Sequence, residues 1–297
     1  MAAVATTTAR PSSLALVRYA VAFLLSTRRI LLVPPALGLA TWKSCSDLVR
    51  ALGETPVPAN ATDAALRIFA SSEYLVGVLA LGFVLLTADF IPRAAASGAL
   101  QLTAVRSVSH LRWWLAHATA LGIAALLMAG SAMLAALLVG VTRLRHPFGP
   151  AMPVEGPLDP QNKSIPAPMA VPAGIPRPLL LVGIVLLVAA VLWILSLMAA
   201  TVALLRSHPI VAALPVLAWT VIERFAHVTS NYELPTLGLL DPFAHLSYQH
   251  FAGLAHFGVL IVPPRIPLAT VAILGIELAV LLAVGAFLLR RRDLPTR

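Results

Sequence analysis

Six stretches of this chain are apolar over most of the length a membrane crossing requires, and polar or proline-rich segments separate them. A spanning helix needs about 20 mainly apolar residues. That rule predicts spans at 30–49 ("ILLVPPALGLATWKSCSDLV"), 70–91, 113–141, 179–205, 209–225 and 268–289. The fifth is the shortest, with Pro215 inside it and Glu223 and Arg224 closing it. Residues 14–27, "LALVRYAVAFLLST", are too few to cross and are stopped by Arg28 and Arg29, a pattern that predicts a helix lying in the membrane interface. The expected fold class is an all-α polytopic membrane protein with six transmembrane helices. Residues 1–29 form a cytoplasmic N-terminus with its interfacial helix, and 30–297 form one transmembrane domain.

Composition supports lipid as the solvent. Of 297 residues 59% are hydrophobic and 11% charged, with mean hydropathy +0.90, whereas about a quarter of a soluble domain is charged. The net charge of +9 does not form a basic stripe with interleaved aromatics, so nucleic acid is not the expected partner. The basic residues lie between the apolar runs instead. With the N-terminus inside, twelve basic and two acidic residues fall on the cytoplasmic side, against nine and nine outside. The positive-inside rule then puts both termini in the cytoplasm, in a plasma-membrane protein in contact with lipid headgroups. The outer loops are long. Residues 143–178 are proline-rich and read as extended chain, and 226–267 carry enough apolar residues for short helices that dip into the outer leaflet. Cys45 is the lone cysteine, so no internal disulfide forms.

The segment "TADFIPRAAASGALQLTAVRSVSHLRWWLA" (87–116) interrupts the apolar pattern. Pro92 ends or kinks the second span, since proline cannot donate within a helix. Ala99, Leu102, Val105 and Val108 then recur every third residue, an apolar stripe on a short helix, with Gln101, Arg106 and Ser107 off it. Trp113 and Trp114 mark the return to the interface. For the arginines, the plain alternative is an anchor on lipid phosphate.

The order of these features resembles the type-2 ATP-binding-cassette (ABC) permeases. Asp89, Arg93, Gly98, Leu100, Leu102, Val108, Ser109 and Arg112 follow the family pattern after its second span, and "LLDPFAHLSY" (Leu239 to Tyr248) looks like its segment outside the fifth. The chain departs from the pattern in "RAAASG", which lacks an acidic residue beside the arginine, and at His110, where a second basic residue is frequent. The resemblance implies a coupling helix at about 93–109, seated on a separate cytosolic ABC ATPase. Arg93, Gly98, Leu102, Val105, Arg106 and Arg112 would serve that contact. It further implies a second permease subunit, in a homo- or heterodimer, and export of substrate by rigid alternation driven by ATP-Mg on the partner.

The chain is not itself expected to be an enzyme or to hold a cofactor. Lys43 and Lys163 precede serines, but neither follows the glycines of a phosphate-cradling loop. Glu277 lies near the middle of the last span, where an ionisable group is costly, and is a candidate for the transport path; Gly275 and Gly285 would permit close packing near it. Glu277 also supports an alternative, a proton-coupled secondary transporter. A non-transporting receptor or assembly protein, acting through its outer loops, is the other. His245, His250 and His256 are spaced too widely for a zinc site on one helix face, so no metal is expected. Asn60 and Asn162 fit glycosylation sequons.

Overall fold

The computed structural model describes residues 12–53, 59–71, 73–97, 109–151, 175–205, 208, 210–219, 242–246, 248, 254–256, 259–262 and 267–291. The described chain is helical apart from one short strand pair. In order, the helices are α1 (Ser13–Leu25), α2 (Val33–Gly53), α3 (Ala61–Ala70), α4 (Glu73–Ala94), α5 (His110–Arg143), α6 (Arg177–Leu205), α7 (Ile210–Trp219) and α8 (Pro267–Arg291). Four of them, α4, α5, α6 and α8, are long and apolar enough to cross a membrane. These lengths suit a membrane-embedded protein.

The first expected span is a helix, α2, but not one apolar enough to cross a membrane alone. The stretches Ser13–Leu25 and Arg28–Ser46 are apolar enough to cross only as a pair, bent by 61°, which brings the possible spans to five. The bend has a cause in the sequence. Pro34 and Pro35 stand in the first turn of α2, where their missing N–H groups cost nothing. Had α1 run on, those N–H groups would have been needed one turn back. The chain closes α1 at Ser26, whose Oγ donates to the Phe23 carbonyl (2.7 Å), passes through a 3-10 turn at Arg28–Leu32, and restarts. The second half of α2 carries Lys43, Asp47 and Arg50, too polar for a spanning helix alone.

Of the expected span at 209–225, residues 210–219 form the apolar helix α7, and 220–225 lie outside the described residues. One other expectation changes: residues 254–256 and 259–262, expected as part of dipping helices, instead form antiparallel strands β1 (Leu254–His256) and β2 (Val259–Val262). Val259, Ile261 and Val262 are β-branched and favour that pleated form.

The bundle is organised around α5, which packs on α1, α2, α3, α6 and α8. Its N-terminal tryptophans face the bundle interior. Trp113 and Trp114 are fully buried, and the Trp114 indole donates to the Leu282 carbonyl of α8 (3.0 Å). Gly285 is what admits that ring, because a Cβ there would overlap it. Gly275, by contrast, faces open space. Trp193 of α6 repeats the device, donating to the Ala118 carbonyl (2.7 Å) over Gly122.

One end of the bundle is stapled by polar contacts. Asn60 caps α3, accepting from the N–H groups of Thr62 and Asp63, while Asp63 accepts from the Asn60 N–H. The Asn60 amide also donates to the Gly149 carbonyl (3.2 Å), so this asparagine is occupied as a cap and cross-link, not presented as a free sequon. Asn162 lies outside the described residues. Asp63, almost fully buried, pairs with Arg177 at the start of α6 (2.5 Å). Arg143 lies over the Trp42 ring (3.8 Å) and donates to the Ser46 hydroxyl. Burial pushes the Tyr248 phenol up from its ordinary value, and its hydroxyl donates to the Leu66 carbonyl.

Candidate functional site

The opposite end of α4 carries Asp89, Phe90 and Arg93. Asp89 and Arg93 are four residues apart and share a face. The Asp89 carboxylate is met by Arg93 Nε at 3.3 Å and by Arg29 Nη1, from the turn between α1 and α2, at 3.2 Å. The Asp89 side chain is 11% exposed, that of Arg93 31% and that of Arg29 56%. The group is thus graded from buried acid to open cation. Partial burial strengthens such pairs over a surface ion pair, because less water screens them.

Aromatic rings extend the group inward. The Arg93 guanidinium sits 5.3 Å from the centroid of Phe23 on α1, and Phe23 touches Phe90 at 6.1 Å between centroids. Phe90 in turn lies 5.2 Å from His117 of α5, and His117 stacks on Trp113 at 3.8 Å. His117 Nδ1 donates to the Trp113 carbonyl (2.9 Å). α1, the turn after it, α4 and α5 are therefore joined at one level by charge and ring contacts, so that none of the four can shift there without disturbing the others.

Of the residues proposed from sequence, Arg93 is the one the structure draws into this group, through Asp89 and Phe23. Arg112 is exposed in the first turn of α5, whose N-terminus is capped by Ser109 Oγ accepting from the Arg112 N–H (3.3 Å). Gly98, Leu102, Val105 and Arg106 lie outside the described residues. Glu277 is half-buried in α8, between the buried Leu274 and the core-packed Leu278 and Leu281. Of "LLDPFAHLSY", residues 242–245 form a 3-10 turn, and Phe243, His245, Leu246 and Tyr248 are buried.

Arg29, Phe23 and His117 belong to the group but were not among the sequence candidates. A signal for Arg29 exists. Asp89 is a lone acid at the end of an apolar run, and such a group needs countercharge. Phe23 and His117 leave no such trace, because an apolar helix face looks the same whatever it touches.

Fold and site together define a membrane-embedded helical bundle with an ion-paired elbow at one end. No protein-family model, curated protein or solved structure matches the chain.

Proposed function

We propose that this chain is the membrane-spanning permease subunit of an ABC exporter of the type-2 class, paired with a second permease subunit and driven by separate ATPase subunits. Six spans, a plasma-membrane location, cytoplasmic termini and a coupling helix at about 93–109 are parts of this proposal. The observation that carries it is the bracing on both sides of the 98–108 segment. Before the segment, Asp89 ties Arg93 to Arg29. After it, Ser109 caps a 34-residue helix that packs on most of the bundle.

That arrangement suits a lever. An ATPase need not send nucleotide into the permease; it has to deliver a displacement to a short segment whose ends are fixed to rigid elements. Leu102, Val105 and Arg106 would form the gripped surface, with Gly98 at its start and Arg112 at its rim. Arg93 acts from within the chain, passing the displacement through Asp89 to the elbow of α1 and α2. The permeases would alternate between inward- and outward-open states, with the path between them lined mostly by apolar side chains and suited to an amphiphilic cargo.

Affinity purification of the full chain from its own host in mild detergent tests the proposal. A soluble ATPase bearing the phosphate-cradling motif is expected to accompany the wild-type chain. It is expected to be lost when Leu102→Asp and Arg106→Asp are combined. Absence of any ATPase from the wild-type preparation sinks the reading.

A further inference from the structure

A cavity of about 270 Å³ opens at the elbow between α1 and α2, walled by α4 and α5. Leu24, Ile30, Val33, Phe83 and Leu127 are among its lining, and Thr87 and Ser131 are its two hydroxyl residues. The Thr87 hydroxyl is already used, donating to the Phe83 carbonyl (2.9 Å). The lining on α5 runs from Ala124 to Ser131, two turns or about 10 Å of depth. A slot of this kind takes hydrocarbon, and it offers almost nothing to a polar ligand.

The mouth has a different chemistry. Arg28 and Arg29 stand in the turn between the lining residues Leu25 and Ile30, and both are exposed. Asp89, two residues beyond the lining residue Thr87, is shared by Arg29 and Arg93. Two guanidiniums therefore share one carboxylate, and Arg28, exposed and next to Arg29 in the chain, adds a third positive charge with no ion pair among the described residues. An apolar slot ending at surplus positive charge matches one class of molecule, an acyl chain bearing an anionic head.

We infer that the elbow cleft binds one acyl chain of an anionic phospholipid, whose phosphate is held by Arg28 and the outward side of Arg29. This inference is independent of the exporter reading, since it concerns only α1, α2, α4 and α5. A bound lipid there fills the corner where the bend would otherwise leave apolar side chains without neighbours, and its charge offsets the excess at the mouth.

Native mass spectrometry of the purified full chain, offered equal amounts of dipalmitoyl phosphatidylglycerol and dipalmitoyl phosphatidylcholine, tests the site. One phosphatidylglycerol is expected to stay bound in preference to phosphatidylcholine. Ser131→Phe and Leu127→Trp, both on exposed positions of α5, fill the slot and are expected to remove it. Arg28→Gln leaves the slot open but should lower the preference for phosphatidylglycerol about fivefold, the factor for one lost basic residue at a headgroup. That variant alters an exposed side chain with no ion-pair partner among the described residues, so the test stands even if a filling variant fails to fold. Equal retention of the two lipids, a preference unmoved by Arg28→Gln, or retention that survives both filling variants overturns the assignment.

Discussion

Asp89 is the residue on which the elbow depends. Its carboxylate is mostly buried and serves two guanidiniums, so neutralising it leaves Arg29 and Arg93 close together without their shared counterion. Breaking a fully buried pair costs about 3–5 kcal/mol. Arg29 is more than half exposed, and water recovers part of that loss. Asp89→Asn is therefore expected to cost about 2 kcal/mol, read as a thermal midpoint lowered by roughly 4–8 °C in detergent. The loss should shrink at high salt, where the wild-type pairs are themselves weakened. An unchanged midpoint would mean that Asp89 holds nothing together. At this scale the sequence is informative where partners are close along the chain. Asp89 and Arg93 fall one helical turn apart and pair as that spacing allows. Arg29 is sixty residues from Asp89, and nothing local announces that the chain folds back to it. The burial of the tryptophans was not legible for a related reason, since an indole at the end of an apolar run suits a lipid interface and a buried helix contact equally well.

Among the elements, length and apolarity foretold α4, α5, α6 and α8 to within a few residues, because a membrane-grade helix is determined by its own composition. The elbow was half legible. The arginines marked a break, and Pro34 with Pro35 made it necessary, but the 61° angle depends on how α1 packs against α5. The strands at 254–256 and 259–262 were not legible, since brief apolar runs do not distinguish strand from helix. Close packing between helices gives a sharper test. Gly285 receives the buried Trp114 ring and Gly275 faces open space, so the same substitution should act oppositely at the two sites. Gly285→Ala is expected to destabilise by about 1–3 kcal/mol through overpacking. Gly275→Ala should be neutral or stabilising by up to about 1 kcal/mol through helix propensity. Thermal midpoints of the two variants in the same detergent check the contrast, and equal effects would contradict the α5–α8 packing described above.

For the whole molecule, the two ends of the bundle differ in kind. One is stapled by Asp63, Arg177, Asn60 and Arg143, side chain to side chain and side chain to loop. The other has the Asp89 group and a candidate lever beside it. This asymmetry fits a protein that is fixed at one face and driven at the other, and it makes the sidedness of residues 98–108 the central claim. The direct measurement uses the full chain with Cys45→Ser and Arg106→Cys, so that a single thiol reports on the lever. Membrane vesicles of both orientations are treated with a membrane-impermeant maleimide. The account predicts labelling in inside-out vesicles and none in right-side-out vesicles until they are permeabilised. Labelling of intact right-side-out vesicles would put the segment outside, beyond the reach of a cytosolic ATPase, and would contradict the account.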